Sequence, residues 1–418
     1  MQRFALIALS CFAAANPALA EDEKTPNFAE DTLSGDWGGS RSAAAKKGFL
    51  FEGLARVDAL RNRGGIGNGS RHITHLDLKL KMDLEKAAGW EGGSAMINLL
   101  SDGGWGPNAR YVGSQMGVTN VEVGAPTTTR LFQAWLQQSL FDDRLALLAG
   151  LYPIDSEFFT VDSAGVFLGP QYGTPADLAL TRGPSIFNNS AFGLRAKWNI
   201  ARTAYAMGAV LDGIPNDPAR PKSTAIRFAK GDGSFSIGEL GWLPEAGNEK
   251  FQGHAKAAIG LWGYSSKVND QRDTDAGGNP LLRFQRGGYM LGERTLLRLG
   301  GDQARYLSGF ARYTWGDGDS TAVKNSLNLG LHLKGPLASR PDDIVGLAWT
   351  RAGMSRKWRD VQAVPADTKS SEEALEITWR FAVTPYLAIQ PNFQYVRNPG
   401  GGSAPNAKLI GVRLDAVL

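Results

Sequence analysis

The chain has 418 residues, of which 45 are lysine or arginine, 41 are aspartate or glutamate and 52 are glycine, and its formal net charge is +4. This mild charge, without any lysine–arginine block, argues against a nucleic-acid partner. No apolar run after residue 20 approaches ~18 residues, which excludes membrane-spanning helices, while frequent glycines and aromatics favour β-structure, either soluble or in an outer-membrane barrel.

Residues 1–20, MQRFALIALSCFAAANPALA, have the pattern of an export signal. Arg3 supplies the positive region, an apolar region follows, and Ala18-Leu19-Ala20 forms the cleavage site. A retained anchor is one alternative, but the apolar run is too short to span roughly 30 Å of hydrocarbon. Lipidation at Cys11 is another, although the residues before it match a lipobox only loosely. Cys11 is the only cysteine and would leave with the signal, so the mature chain can form no disulfide.

A glycine-rich stretch, LSGDWGGSR at 33–41, follows the signal. The alanine-rich segment after it predicts a short helix that Gly48 terminates. We therefore predict a periplasmic lead-in over residues 21–48, with Trp37 packed and Asp36 and Arg41 hydrogen-bonded near the barrel mouth.

The segment HITHLDLKLKMDLEK, residues 72–86, alternates leucines with aspartates and lysines. Such alternation predicts a β-strand with one apolar and one charged face. The pattern recurs in GFLFEGLARVDAL, AFGLRAKWNI, NSLNLGLHLKG, EEALEITWRFAV and KLIGVRLDAVL. Segments of about nine to eleven residues suit tilted transmembrane strands better than sandwich strands. Aromatics near strand ends and alternating short turns and long loops also favour an outer-membrane barrel over a secreted sandwich, and residues 49–418 are assigned to it.

Catalytic and metal-binding patterns are weak. The chain has four histidines and no G-x-S-x-G elbow, which gives little support to an outer-membrane lipase triad. Glu372 and Glu373 are adjacent, so they point apart in a strand, and a solvated loop edge is the simpler interpretation. We expect no enzyme activity and no cofactor or metal, with a barrel enzyme or an adhesion protein as the alternative from another class.

Strand alternation instead predicts a polar lumen that could conduct small solutes. Its candidate pore-lining residues are Lys79, Lys81, Arg195, Lys197, Glu376, Arg380 and Arg413. The long stretch 153–190 lacks periodicity, and long loops of this kind are often functional. The loop aromatics Trp105, Phe158, Phe159 and Tyr172 could stack on sugar rings or pack a loop against the wall; both interpretations stay open.

The stretch LSGDWGGSRSAAAKKGFLFEG, residues 33–53, resembles the N-terminal signature of the carbohydrate-selective porin (OprB) family. The resemblance continues in LDLKLKMDLEKAAGWEGG, LFQAWLQQSLFDDRLALLAGLYPIDSEFF, LKGPLASRPDDIVGLAW, ITWRFAVTPYLAIQPNFQYVRNPGG and LIGVRLDAVL. It implies an antiparallel barrel of about 16 strands whose loops fold inward. Residues 153–190 would be the constriction loop, with Asp155, Glu157, Phe158 and Phe159 in the matching D-x-E-F-F segment. Two departures are the C-terminal Leu418, where an aromatic is usual, and Pro391 inside a strand, which we expect to cause a local bulge or irregularity.

The sequence therefore predicts a passive porin in the outer membrane of a Gram-negative bacterium. It would prefer mono- and small oligosaccharides or polyols, and a general or weakly anion-selective diffusion porin is the alternative. The expected partners are sugars or other small polar solutes, outer-membrane lipid and the barrel assembly machinery. Association into a homo-oligomer stays open.

Overall fold

The computed structural model describes residues 27–124 and 127–418, so the export signal predicted at 1–20 lies outside the described residues. Sixteen strands close into one antiparallel barrel in which each strand pairs with its sequence neighbour and β1 pairs with β16. The strands are β1 (Phe49–Arg63), β2 (Gly69–Asp83), β3 (Gly93–Gly104), β4 (Thr128–Leu140), β5 (Leu145–Tyr152), β6 (Ala191–Ala201), β7 (Ala204–Asp212), β8 (Ser234–Trp242), β9 (Ala255–Thr274), β10 (Pro280–Leu299), β11 (Asp302–Trp315), β12 (Val323–Lys334), β13 (Ile344–Met354), β14 (Ser371–Thr384), β15 (Leu387–Arg397) and β16 (Ala407–Val417).

The helices are short: α1 (Phe28–Asp31), α2 (Ser40–Lys46), α3 (Leu84–Ala88), α4 (Ala176–Ala179) and α5 (Arg356–Asp360). None of the helices in the described part of the chain has the length and apolarity to cross a membrane. The predicted all-β barrel with a short helical lead-in is confirmed.

Alternating side chains divide each strand between an apolar outer face and a polar inner face. On β6, Leu194 is 61% exposed on the outside, while the next residue, Arg195, is buried inside. The same parity continues across the ladder, where Leu194 faces Val210 and Arg195 faces Ala209. Because the period of a strand is two, this register sends Arg195 and the residues that share its parity on β6 to the lumen.

The two ends of the barrel differ in their connections. Short turns, such as 385–386 between β14 and β15, lie at the end that also carries the start of β1 and the end of β16. The long connections 105–127, 153–190 and 355–370 lie at the opposite end. In outer-membrane barrels the short turns are periplasmic and the long loops extracellular, which orients this barrel.

The lead-in packs against the seam where the two ends of the barrel chain meet. Arg41 is buried, and its Nη2 donates to the carbonyl oxygens of Phe51 (2.6 Å) and Leu418 (2.9 Å). The guanidinium also stacks 5.2 Å from the Trp37 ring centre. Trp37 itself remains 49% exposed, so only one of its faces is packed. Asp36 accepts bonds from the backbone and hydroxyl of the helical residue Ser42, both at 2.8 Å.

Pro391 causes a gap in the ladder rather than a bulge. Its β14 neighbour, Trp379, is not paired with it, yet pairing resumes in the same register at Phe381 and Ile389. The ladder to β16 passes through Pro391 without interruption, opposite Val412. The missing N–H of proline is therefore accommodated by two consecutive unpaired positions, 379 with 391 and 380 with 390.

Candidate functional site

Two connections fold into the barrel and bond to its inner wall. The channel loop, residues 153–190, joins β5 to β6, and the companion loop, residues 105–124, is the described part of the β3–β4 connection. The channel loop reaches strands far along the barrel, since its Leu168 N–H donates to Glu376 on β14 at 2.6 Å. The lumen is therefore narrowed by chain that the wall itself holds in place.

Three wall glutamates bind the backbone of the channel loop. Each accepts a buried N–H from it: Glu239 on β8 from Phe159 (2.8 Å), Glu293 on β10 from Ser163 (2.8 Å), and Glu376 on β14 from Leu168. Hydrogen bonds to charged groups contribute about 1.5–3 kcal/mol each, more than neutral ones. Three anchors spaced around the wall fix the course of the loop across the lumen.

A single arginine of β11, Arg312, binds backbone carbonyl groups of the same loop. The guanidinium of Arg312 is fully buried and donates to the backbone oxygens of Phe159 (3.0 Å), Gly173 (2.6 Å) and Gln171. Its Nε bonds to the side chain of Asn328 on β12 at 3.3 Å. Arginine suits this position because its five donors spread in one plane and can meet several acceptors at once.

Glu157 of the channel loop and Arg195 of β6 form a two-pronged ion pair, with Nε–Oε2 at 2.9 Å and Nη2–Oε1 at 3.0 Å. Burial alone would raise the pKa of Glu157, but the attraction of Arg195 and Lys197 outweighs it and lowers the pKa below its usual value. Arg195 also donates to Gln137 at 2.8 Å. Both charges are therefore used in positioning the start of the loop.

The buried loop aspartates, Asp155 and Asp177, take up a proton more readily than Glu157 does. Burial raises the pKa of each to about 6. Asp155 accepts the N–H of Phe187 at 3.0 Å, and Asp177 accepts the hydroxyls of Thr314 and Ser326, yet each carboxyl keeps one oxygen without a partner. An unpaired buried carboxylate oxygen is what makes the charged form costly.

The aromatic side chains of the channel loop face the wall. Phe158, Phe159 and Tyr172 are all buried, and the Phe159 ring lies edge-on to Tyr289 with centroids 5.8 Å apart. Packing of the loop against the wall therefore accounts for these three. Trp105, in contrast, is 67% exposed.

The companion loop is held in the same manner. Glu372 on β14 points inward and accepts the N–H groups of Gln115 (3.0 Å) and Gly400 (2.6 Å), and the hydroxyl of Ser114. Its assignment to a solvated loop edge was wrong, because it is fully buried. Arg413 on β16 forms a two-pronged pair with Asp58 at 2.7 Å and donates to Asn120 of the loop at 2.8 Å.

The predicted pore-lining residues fall into two groups. Arg195, Lys197, Glu376 and Arg413 all lie on the inner wall but are buried; the ammonium of Lys197 lies 5.0 Å from the centre of the Tyr205 ring. Lys79, Lys81 and Arg380 also lie on the inner wall and stay partly exposed. The side chains of Lys79 and Lys81 are 25% and 28% accessible and pair with Asp77 (3.0 Å) and Glu52 (2.7 Å).

Comparison with known proteins gives a consistent result. The family model described as "Carbohydrate-selective porin, OprB family" matches residues 67–418. Porin B of Pseudomonas aeruginosa is 27% identical over 99% of this chain and 96% of its own length. The solved high-pH structure of Pseudomonas putida OprB covers 94% of this chain and 100% of its own with a TM-score of 0.82 at 21% identity, which supports the fold. The outer-membrane channel DcaP of Acinetobacter baumannii has the same fold at a TM-score of 0.53 and 11% identity, over 88% of this chain and 97% of its own.

Proposed function

The chain belongs to the carbohydrate-selective porin (OprB) family and is an outer-membrane porin, and from that premise we propose that mono- and small oligosaccharides or polyols cross it between the channel loop and the open part of the wall. The observation that supports this route is the anchoring of the channel loop by Glu239, Glu293 and Glu376, which narrows the lumen to a fixed width. Solutes would diffuse down their gradient without energy coupling.

Within this route, Lys79, Lys81 and Arg380 would contact the solute. All three are inward-facing and partly exposed, and their cationic groups can donate several hydrogen bonds to hydroxyls. Arg195, Glu376 and Arg413 would act through the loops that they hold, and Asp155, Glu157, Phe158 and Phe159 would act by shaping the constriction.

Liposome swelling tests the proposal directly. Purified protein in liposomes should admit glucose and a disaccharide faster than amino acids of equal size. Equal rates for sugars and size-matched amino acids would leave a porin without carbohydrate preference, the general diffusion alternative. Ion selectivity, measured in a planar bilayer with a salt gradient, then tests the alternative of a weakly anion-selective diffusion porin. A strong anion preference that glucose leaves unchanged would favour that alternative.

Two further parts of the proposal concern partners and chemistry. We expect insertion to depend on the barrel assembly machinery, which depletion of that machinery in cells would test through loss of folded protein. We also expect passage without catalysis; in the described part of the chain, no group of three or more histidine, cysteine or acidic residues could hold a metal. A serine-reactive probe that labels the folded protein would contradict this.

A further inference from the structure

Four cationic side chains form an outward-facing patch at the long-loop end of the barrel. This rim patch consists of Arg61 and Arg63 on β1, Lys408 on β16 and Arg397 on β15, and all four are exposed. Their direction follows from the strand parity, because the intervening Asn62 is buried on the inner face, where it bonds to the companion loop. The patch therefore belongs to the outer surface of the barrel and not to the lumen.

The four side chains are contiguous across three neighbouring strands. Arg63 lies directly opposite Lys408 in the β1–β16 ladder, and Lys408 lies opposite Tyr395, two residues before Arg397. Arg61 is the next residue on the same face of β1. Side chains directly opposite on antiparallel strands lie about 5 Å apart, and like charges in that position repel each other. The strand register thus places the cations of Arg63 and Lys408 side by side, where they repel each other.

Carboxylates of the protein do not neutralise the centre of this patch. In residues 27–124 and 127–418, no carboxylate is within ion-pair distance of Arg61, Arg63 or Lys408. The outward-facing Glu373 approaches Arg397 at 3.7 Å but is shared with Arg351 at 3.8 Å. The patch therefore keeps a net positive charge that an external anion can compensate.

The surface next to the rim patch indicates which anion can reach it. On the same outer face, Ile410 is 68% exposed and Phe393 is also exposed, as expected of side chains in contact with lipid tails. Tyr395 lies between this apolar surface and the cations, where an interfacial aromatic is usual. The patch thus lies at the level of the headgroups of the outer leaflet.

We propose that the rim patch binds lipid A, the phosphorylated glycolipid of the outer leaflet, through its phosphate groups. Arginine forks fit phosphate oxygens in pairs, and basic side chains at a membrane surface attract anionic lipid. A phosphate between Arg63 and Lys408 would convert their repulsion into two attractive contacts. A second copy is a poorer occupant, because a two-fold contact through this patch would bring cations against cations.

The test is titration of the refolded, lipid-free protein in detergent micelles, with bound lipid counted by native mass spectrometry. The ligands are lipid A and the same lipid after removal of both phosphates. Wild-type protein should bind the phosphorylated form at least about tenfold more tightly, and R61Q/R63Q should bind it about 25-fold more weakly, at about fivefold for each basic side chain. The matched control R144Q/R294Q removes two exposed arginines near the short-turn end and should bind as wild type does.

Three outcomes would overturn the proposal. The first is equal affinity of the wild-type protein for both lipids, which needs no variant and so does not depend on folding of the substitutions. The second is unchanged lipid A binding by folded R61Q/R63Q. The third is loss of an oligomer in R61Q/R63Q with lipid binding unaltered, which would assign the patch to a second copy. Because sugar passage occurs in the lumen, swelling rates of R61Q/R63Q should equal those of wild type.

Discussion

Replacing Arg312 by methionine should release the channel loop while leaving the barrel folded. Methionine keeps most of the volume but removes the donors that bind the oxygens of Phe159, Gln171 and Gly173. At about 1.5 kcal/mol for each lost bond to this charged group, the loop is destabilised by about 4.5 kcal/mol, so the population of the released loop rises by about three orders of magnitude. Single-channel recording should show a larger and noisier conductance, and swelling rates should become less dependent on solute size.

Two controls make this prediction specific. R351M applies the same substitution to an arginine on the outer face and should leave conductance unchanged. R312K keeps the charge but offers fewer, differently directed donors, so its conductance should lie between wild type and R312M. If R312M migrates as a folded barrel on unheated gels and retains wild-type conductance and size dependence, the loop is not held by this arginine and the reasoning fails.

Three other results are expected. The buried loop aspartates hold the loop best below pH ~4, their ordinary pKa, and lose that contribution as pH rises through about 6. The protection of amides in residues 153–190 relative to their intrinsic exchange rate should therefore fall over this window, and asparagine at both positions should remove that fall. R41A should lower the temperature at which the folded band disappears, because the carbonyl of Leu418 loses its donor, while sugar rates per folded channel stay constant. K79A/K81A leaves Asp77 and Glu52 unpaired, so the reversal potential in a salt gradient should shift toward cations.

The barrel could be predicted from the sequence because the alternation of apolar and polar residues that defines each strand lies within that strand. In AFGLRAKWNI, alternation alone sends Arg195 and Lys197 inward and Leu194 outward, and the ladder places them so. The same parity separates the adjacent Glu372 and Glu373, which lie on opposite faces. A period of two needs no knowledge of the partner strand, so orientation follows from a single strand.

The anchoring of the loops could not be predicted in this way. Glu239, Glu293 and Arg312 were absent from the candidate residues, although each occupies an inward position of a strand. Strand parity shows that such a side chain faces the lumen. It does not show whether the side chain contacts water or a loop that folds into the lumen. That distinction depends on the course of a loop without periodicity. The buried glutamate at 372 was misassigned for the same reason, since its partners lie in the companion loop.

The pairing of charges explains why a lumen rich in arginine can suit neutral solutes. Five inward cations of the wall form ion pairs with carboxylates: Arg56 with Asp415, Arg413 with Asp58, Arg195 with Glu157, Lys79 with Asp77 and Lys81 with Glu52. An unpaired ring of cations would raise the local concentration of anions over that of sugars, because field focusing in a narrow channel acts on charge alone. Paired groups largely cancel that field at a distance, yet at contact range they still offer donors and acceptors to hydroxyls. Selection by hydrogen bonding rather than by charge is therefore the expected consequence, and it predicts that glucose entry depends only weakly on salt.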